Sequence, residues 1–248
     1  MGNKILVSII TPAYNSTKTI SKAIESVLNQ TYDNIEYIIM DGGSSDNTLE
    51  IAHSYEEAFK ARGIKYTIVS EPDNGMYDAI NKGIKLASGE IVGNVNTDDY
   101  YEPNAIETIV EEYIKEPYDM IYADLRIIRK GKESIKKAKL KKFASTRYWN
   151  HPTTFITKET YSKEQYRCCD MYDDGELMLR LRRKGYKIRV VNEVLSNFVF
   201  GGMSNEKSWK KTRERLKYRK KMYKDNGYRC ITYKIDSFII EVGKYILG

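Results

Sequence analysis

Two adjacent carboxylates, Asp98 and Asp99, follow a short apolar run that ends at Val95. At a separation of about 4 Å and an effective dielectric constant of about 20, two such charges repel each other by about 4 kcal/mol. The apolar run predicts a buried strand, and the pair stands at its end. Either the two side chains occupy a solvated turn, or a cation offsets their charge.

Hydrophobic patterning predicts the elements that position this pair. Apolar, strand-like runs occur at 5–10, 35–40, 65–70 and 90–95. Helical patterns follow them near 16–29, 46–61, 76–87 and 103–116. Strand–helix alternation of this length predicts an α/β fold with a Rossmann-like, mostly parallel sheet and helices on both faces.

Polar residues follow each of the four predicted strands. In such sheets ligands bind outside the carboxyl ends of the strands. Any one of these segments could be a loop or a helix cap, but their convergence on one edge predicts a ligand site. The segments are TPAYN (11–15), DGGSSD (41–46), EPDNG (71–75) and NTDD (96–99).

Composition limits the class of protein. The 248 residues are 41% hydrophobic, enough for one sizeable core with a small appendage. The three cysteines match neither a disulfide framework nor a paired-cysteine metal site, so we expect reduced thiols and a cytoplasmic compartment. Two histidines are too few for a histidine-rich zinc site. No apolar run reaches the roughly 18 residues of a membrane span, and the N-terminal run is too short for a signal peptide.

The net charge of +7 is distributed unevenly. Residues 126–147 carry a net charge of +9 and residues 203–248 carry +8, which leaves −10 for the remainder. A nucleic-acid binder usually has one face that is basic throughout, so we expect no nucleic-acid partner. The pattern suits an acidic body that holds a cation and two basic segments that meet an anionic surface.

Six segments in order resemble the family 2 glycosyltransferases of GT-A fold, a group that includes enzymes of bacterial surface-polysaccharide synthesis. Members transfer a sugar from a nucleotide diphosphate to an acceptor hydroxyl, with inversion at the anomeric carbon. The resemblance implies a catalytic domain at 1–205, followed by a basic helical tail at 206–248. The segments begin VSIITPAYN (7), SVLNQTYDN (26), DNGMYDAINKG (73), NHPTTF (150), DDGELMLRL (173) and FGGMSN (200).

The resemblance also implies a role for the acidic pair. TDD at 97–99 matches the DxD position of the family, with Thr97 where the first Asp often stands. Asp98 would bind the ribose or the sugar, and Asp99, with Asp98, would bind Mn²⁺ or Mg²⁺. Such ions take carboxylate and phosphate oxygens, and the cation would neutralise the departing nucleoside diphosphate.

The implied donor pocket departs from the family at one position. Many members read DDGS, but this chain has Gly42 where a second Asp would contact a pyrimidine edge, so a UDP-hexose is expected only by frequency. Tyr14 packs either on the nucleotide or in the core. Asp78 and Lys82 share a helix face and either approach the donor or form an ordinary ion pair. The expected donor-side residues are Thr11, Pro12, Tyr14, Asn15, Asp41, Asp73, Gly75, Asp78, Lys82, Asn96, Thr97 and Asp98.

A carboxylate is expected as general base, because the acceptor hydroxyl must lose its proton as the new C–O bond forms. By resemblance the base is Asp174, with Asp173 beside it. Asp174 also opens a predicted helix, so a capping role fits it too. His151 matches a position close to the acceptor and the diphosphate, although a lone histidine is often structural.

The basic tail predicts two amphipathic helices. Trp209, Leu216 and Tyr223 recur at every seventh residue of the first helix. The second carries an apolar stripe of Ile231, Ile235, Phe238, Val242 and Ile246. Such helices are typical of attachment to an anionic membrane surface. We therefore predict a cytoplasmic enzyme, peripheral on the inner face of the cytoplasmic membrane, that acts on a lipid-linked glycan. Packing of the second helix on the body or on a twin subunit, as in a homodimer, is the alternative.

Two other classes of protein are less consistent with the sequence. A nucleotidyltransferase of related fold would need a G-x-G-T/S-R phosphate loop after the first strand, which TPAYN lacks. A non-enzymatic membrane or nucleic-acid binding protein would explain the basic segments but not the acids at the strand ends. The absence of a Q-x-x-R-W signature favours transfer of a single sugar over processive synthesis.

Overall fold

The computed structural model describes residues 4–169, 171–200 and 208–247. Within them, one sheet runs in the order β3-β2-β1-β4-β8-β6-β9-β5, and β7 pairs with β6. The strands are β1 (Val7–Ala13), β2 (Ile35–Asp41), β3 (Lys65–Ser70), β4 (Ile91–Asn94), β5 (Asp99–Tyr101), β6 (Met120–Arg129), β7 (Lys132–Lys136), β8 (Phe155–Thr157) and β9 (Ile188–Val199). Beyond Phe200, the FGGMSN segment and the predicted domain boundary at 205 lie outside the described residues.

The first half of the sheet follows the prediction. β1 pairs in parallel with both β2 and β4, and β2 pairs in parallel with β3. All residues of β1, β2 and β4 are buried, as expected for central parallel strands. β3 forms the edge and is partly exposed. The carboxyl ends of the four strands therefore share one edge of the sheet.

The second half of the sheet was not predicted. β8 runs antiparallel to β4 and to β6, β6 is parallel to β9, and β5 is antiparallel to β9. Phe155 of β8 lies opposite Gly93 of β4. Residues just before β8 therefore return to the edge at which β4 ends.

Helices cover both faces of the sheet, as predicted. They are α1 (Ile20–Leu28), α2 (Thr48–His53), α3 (Glu56–Ala61), α4 (Met76–Leu86), α5 (Ala105–Lys115), α6 (Lys158–Lys163), α7 (Asp173–Lys184), α8 (Trp209–Asp225) and α9 (Ile231–Leu247). One hydrophobic cluster contains side chains of α1, α2, α3 and α5, and the other contains those of α4, α7 and α8. The single helix expected over 46–61 is two short helices, α2 and α3, separated by Ser54 and Tyr55.

The two tail helices form a hairpin that is joined to the body by buried charges. The Glu241 carboxylate of α9 accepts hydrogen bonds from Arg215 Nε and Arg219 Nε of α8, each at 2.9 Å. It also accepts one from the Tyr172 hydroxyl, just before α7, at 2.7 Å. All four side chains are buried. Packing on the body, the alternative for α9, is therefore present in the structure.

α9 turns its polar side inward and its apolar side outward. Asp236, Ser237 and Glu241 are buried, whereas Ile231 and Phe238 are 61% and 56% exposed. Of the rest of the predicted stripe, Ile235 is exposed, Val242 is half-buried and the side chain of Ile246 lies outside the described residues. The exposed stripe gives this helix a free apolar face beside a basic helix.

Replacing Glu241 with Gln should destabilise the fold. The variant removes the buried negative charge that Arg215 and Arg219 share, and removing one partner of a buried ion pair typically costs about 3–5 kcal/mol. The measurement is the free energy of unfolding in urea. Glu214→Gln, which removes an exposed acid of α8, is the matched control and should change stability by less than about 0.5 kcal/mol. Equal stability of the two variants would contradict this account of the hairpin.

Candidate active site

The loops that follow the four parallel strands contact one another at the carboxyl edge. Asn15, after β1, has a left-handed backbone with φ of 46°, which Asn tolerates better than most residues. Its N–H donates to Ser44 Oγ at 2.8 Å, and its side-chain oxygen accepts from Ser45 N at 2.9 Å. Thr97, after β4, donates to Ser16 Oγ at 2.9 Å. The strand ends therefore converge as the sequence predicts.

Asp41, at the end of β2, holds these loops in place. Its buried carboxylate accepts from the N–H groups of Gly43 and Ser44 at 3.1 and 3.0 Å, and from the Ser70 hydroxyl at 2.6 Å. Because these donors come from the loop after β2 and from the end of β3, Asp41 would contribute to a donor pocket by fixing its shape.

The residues predicted to follow the first strand divide into a buried group, which lies within β1, and an exposed group after it. Thr11 and Pro12 are buried in the strand, and Thr11 Oγ1 lies 2.8 Å from Tyr37 OH. Tyr14 is 64% exposed, which excludes the alternative that it is a core aromatic. Thr11 and Pro12 therefore contribute to the packed interior beneath the loops and do not face a ligand. The exposed ring of Tyr14 can pack against one.

Asp73, in the loop after β3, lies directly over Gly42. A Cβ atom on Gly42 would stand 2.4 Å from Asp73 Oδ2. The other oxygen, Asp73 Oδ1, accepts a hydrogen bond from Gly75 N at 2.7 Å. Gly75 has φ of 111°, a conformation that glycine adopts readily and other residues rarely do. The space beside Gly42 is thus filled by the carboxylate of Asp73.

Asp78 and Lys82 fasten the same loop to α4. Asp78 Oδ2 accepts from Asn74 N at 3.0 Å. Lys82 Nζ donates to the Pro72 carbonyl at 2.8 Å and lies 3.0 Å from Glu71, compared with 3.8 Å from Asp78. Both side chains therefore hold the loop that carries Asp73, and an ion pair between them is only a minor part of that arrangement.

Asp99 is a buried acid with incomplete hydrogen bonding. It is 1% exposed, and its Oδ2 accepts from Asn96 Nδ2 at 3.3 Å. Among the described residues, neither Asp99 Oδ1 nor Asn96 Oδ1 has a hydrogen-bond partner. Burial first, and the charge of Asp98 second, raise the pKa of Asp99 to about 8.

This arrangement fits a hard divalent cation. A cation would satisfy the two buried oxygens of Asp99 and Asn96 and offset the charges of Asp98 and Asp99. No group of three His, Cys, Asp or Glu side chains in the described part of the chain could hold a metal alone. Because Mg²⁺ is commonly held by one or two carboxylates together with substrate phosphates, a phosphate-bearing ligand would complete the set.

The second chemical group stands at the amino end of α7. Asp173 is buried and accepts from Cys169 N at 2.8 Å, whereas the Asp174 side chain is 21% exposed. Both lie in the first turn, where free backbone N–H groups favour negative charge. His151 Nδ1 lies 3.9 Å from Asp174 Oδ2. Asp174 is therefore the carboxylate of the pair that a ligand can reach.

Two stacked tyrosines that sequence reasoning missed extend from His151. Its Nε2 lies 3.3 Å from Tyr166 OH, and Tyr166 stacks on Tyr77 with ring centroids 5.1 Å apart. Burial lowers the pKa of His151, against the opposing effect of Asp174, so the imidazole is neutral at neutral pH. The only sequence signal for Tyr77 was its place beside Asp78 in the segment DNGMYDAINKG. No sequence signal pointed to Tyr166.

The two groups share one edge of the sheet. His151 lies four residues before Phe155, which pairs with Gly93 in antiparallel β4 and β8. It therefore lies beyond the carboxyl end of β4, the end that Asn96 and Asp99 also follow. An accessible carboxylate and a buried carboxylate with an unsatisfied oxygen at one edge suit proton removal from a hydroxyl combined with stabilisation of a phosphate leaving group.

Comparison with known sequences identifies related proteins. The sequence model described as glycosyl transferase family 2 matches residues 8–172. A chondroitin synthase of Pasteurella multocida is 37% identical over 111 residues, which are 45% of this chain and 11% of that protein. Glycosyltransferase GlyG of Streptococcus pneumoniae is 35% identical over 117 residues, 47% of this chain and 38% of that protein. The matched part is thus a minor fraction of each relative's length.

Solved structures confirm the predicted GT-A fold. S. aureus TarS 1–349 in complex with UDP-GlcNAc matches with a TM-score of 0.74 and 15% identity, covering 98% of this chain and 73% of that one. Mannosyltransferase PcManGT from Pyrobaculum calidifontis, in complex with GDP-Man and Mn²⁺, matches with a TM-score of 0.68 and 14% identity, covering 99% and 73%. At these identities the likeness concerns the fold alone.

Without a metal, stability should fall as pH rises from about 4 to about 8 because of Asp99. Its folded pKa of about 8 exceeds the ordinary Asp value, so the folded state binds the extra proton and loses that advantage as the proton leaves. Asp99→Asn should remove this part of the pH dependence, measured as the free energy of urea unfolding from pH 5 to pH 8.

A cation should reverse the trend. Because Mn²⁺ competes with the proton for Asp99, Mn²⁺ with inorganic pyrophosphate should stabilise the wild type more at pH 8 than at pH 6, and should have little effect on Asp99→Asn. Parallel pH curves for the two proteins, or equal stabilisation by Mn²⁺, would show that Asp99 does not carry the site.

Proposed function

The chain belongs to glycosyl transferase family 2, and we propose that it is an inverting, metal-dependent hexosyltransferase. It moves one sugar from a nucleotide diphosphate sugar to a hydroxyl of a glycan acceptor in surface-polysaccharide biosynthesis. The observation that carries the proposal is the placement of buried Asp99 and accessible Asp174 at one edge of the sheet. Relatives named chondroitin synthase and hyaluronan synthase support a role in polysaccharide synthesis.

Asp174 acts as the general base in this reaction. The acceptor oxygen attacks the anomeric carbon from the face opposite the phosphate, and the new C–O bond forms as the bond from that carbon to the phosphate oxygen breaks. The hydroxyl proton passes to the Asp174 carboxylate, and the nucleoside diphosphate leaves. A single displacement of this kind inverts the anomeric configuration. The neutral His151 ring, 3.9 Å away, limits the space around the carboxylate.

Asp99, Asn96 and Asp98 form the side of the site that faces the diphosphate. Asn96 donates to Asp99 Oδ2 and so leaves Oδ1 directed away from that bond. A Mn²⁺ or Mg²⁺ ion bound there would neutralise charge on the departing diphosphate. The Mn²⁺-bound mannosyltransferase of the same fold supports this assignment.

The donor is proposed to be a UDP-sugar. Tyr14 offers an exposed ring for the base to pack against. Asp73 presents a carboxylate oxygen beside Gly42, the position at which many members of the family carry a second Asp. A carboxylate there accepts a hydrogen bond from N3–H of uracil, whereas the unprotonated N3 of cytosine would repel it. TarS in complex with UDP-GlcNAc supports the choice of uracil.

The acceptor is proposed to be a lipid-linked glycan at the inner face of the cytoplasmic membrane. No helix in residues 4–169, 171–200 and 208–247 has the length and apolarity needed to cross a bilayer. Attachment is proposed to be peripheral, through the exposed apolar face of α9 and the net charge of +8 over residues 203–248. Each Lys or Arg near an anionic surface contributes about 1 kcal/mol to such binding.

Asp174→Asn should abolish most transfer while leaving donor binding intact. The change is nearly isosteric and removes only the ability to accept a proton, so kcat should fall about 10²–10⁴-fold. Transfer is followed as acceptor-dependent release of nucleoside diphosphate, and donor binding by calorimetry. Glu159→Gln, which replaces an exposed first-turn acid of α6, is the control. Turnover of Asp174→Asn within about threefold of the wild type would remove Asp174 from the mechanism.

Asp73→Asn should shift base preference from UDP towards CDP. Because the Gly75 N–H holds Oδ1, the Asn amide nitrogen would take the place of Oδ2 and turn an acceptor into a donor. Hydrogen bonds to charged groups are worth about 1.5–3 kcal/mol, so the ratio of the Kd values for UDP and CDP should change at least tenfold. Glu71→Gln, in the same loop, is the matched control. An unchanged ratio in Asp73→Asn would assign base recognition to another residue.

A further inference from the structure

A basic cavity of about 310 Å³ lies at the turn between α8 and α9. Its charged side chains are all cationic, namely Lys220, Lys221, Lys224, Arg229 and Lys234. Lys221 is paired with Asp225 at 3.0 Å. In the described part of the chain the other four make no ion pair. A concave site with uncompensated cations suits a multivalent anion such as a phosphate.

Three tyrosines give this cavity a fixed aromatic wall. Tyr233 lies between Tyr223 and Tyr228, with ring centroids 4.9 and 5.2 Å away, and it stacks on Phe143 of the body at 4.5 Å. The Tyr223 hydroxyl also accepts a hydrogen bond from Thr146 N at 3.2 Å. The wall is therefore anchored to the catalytic body, which distinguishes the cavity from a row of solvated lysines on a free helix.

The exposed apolar face of α9 begins at the rim of the cavity. Ile231 follows Cys230, which lines the cavity, and Phe238 lies one turn beyond Lys234. Ile231, Ile235, Phe238 and Ile239 are each at least half exposed. A cationic cavity that adjoins an exposed apolar face is complementary to a ligand with a phosphate head group and a hydrocarbon chain. A small soluble anion would use the cavity but not the apolar face.

The cavity also leads towards the candidate base. Lys221 lines both this cavity and a smaller one of about 30 Å³, whose wall includes Asp173. Asp173 directly precedes Asp174 in the first turn of α7. The two cavities therefore adjoin at Lys221, and the smaller one reaches the turn of α7 that carries Asp173.

We propose that the α8–α9 cavity binds the phosphate or diphosphate head group of a membrane lipid, whose hydrocarbon chain lies along the exposed face of α9. The identification of this lipid as the carrier of the acceptor glycan rests on the proposed function. The apolar face of α9 then enters the membrane at the point where the acceptor is held, so attachment and acceptor binding use one surface.

The test is co-sedimentation of the full chain with vesicles. Phosphatidylcholine vesicles with 5% phosphatidic acid present a phosphate monoester, and vesicles with 10% phosphatidylserine present a similar charge without one. The triple change Lys220→Gln, Lys224→Gln and Lys234→Gln removes cations of the cavity. The triple change Lys210→Gln, Arg213→Gln and Lys217→Gln removes three exposed cations of α8 outside it. Circular dichroism confirms that both variants fold.

The cavity variant should lose at least tenfold in affinity for phosphatidic acid vesicles, and the control variant about threefold or less. On phosphatidylserine vesicles the two variants should be weakened equally. Ile235→Ser with Phe238→Ser should weaken vesicle binding but leave the binding of free inorganic phosphate unchanged. Equal losses of the two triple variants on phosphatidic acid would overturn the proposal, and so would inorganic phosphate that binds as tightly as the vesicles.

The proposed function is tested separately by the wild type in solution. Slow hydrolysis of UDP-sugars, in which water takes the place of the acceptor and nucleoside diphosphate is released, is measured without vesicles and depends on the donor site and not on the α8–α9 cavity. Vesicle binding without donor turnover would support the lipid site and contradict the transferase proposal. Donor turnover without preference for phosphatidic acid would contradict the lipid site alone.

Discussion

Parallel pairing of β1 with both β2 and β4 is the constraint on which the rest of the structure depends. Parallel strands end at the same edge, so this pairing gathers loops that are distant in sequence into one place. β8 runs in the opposite direction, and for that reason the residues before it, including His151, reach the same edge. The site therefore combines strand ends from one half of the sheet with a strand start from the other.

Three carboxylates at this edge have the same charge but different surroundings. Asp41 is buried and fully supplied with donors, so it acts as a structural centre for the loops. Asp99 is buried and has too few hydrogen-bond donors, so the described residues alone do not stabilise its negative charge. Asp174 is accessible at a helix terminus. Burial and hydrogen bonding, more than residue type, separate the structural acid Asp41 from the proposed metal ligand Asp99 and the proposed base Asp174.

Sequence patterning predicted the first four strand–helix units because each strand is a strand-like apolar run followed by a helical pattern, and β1, β2 and β4 are buried on both sides. β5 and β8 have only three residues each, too few for a periodic signal. The direction of individual side chains could not be predicted from the sequence either. Asp41, for example, is held towards the loops in part by Ser70, which lies on another strand. For α9 the apolar stripe was visible, but which side turns inward is set by Arg215 and Arg219 of α8 and by Tyr172 of the body, all of which bind its buried acid.

Gly42 and Asp73 exclude each other in a way that bears on how this site can diverge. A side chain at 42 would displace the Asp73 carboxylate from its bond to Gly75, because both would occupy the same space. The two positions should therefore covary among homologues, with a small or redirected residue at 73 wherever 42 carries a side chain. An acid that recognises the nucleobase could therefore shift between positions 42 and 73 during evolution only through one of two intermediates. One has carboxylates at both positions that compete for the same space, and the other has a carboxylate at neither.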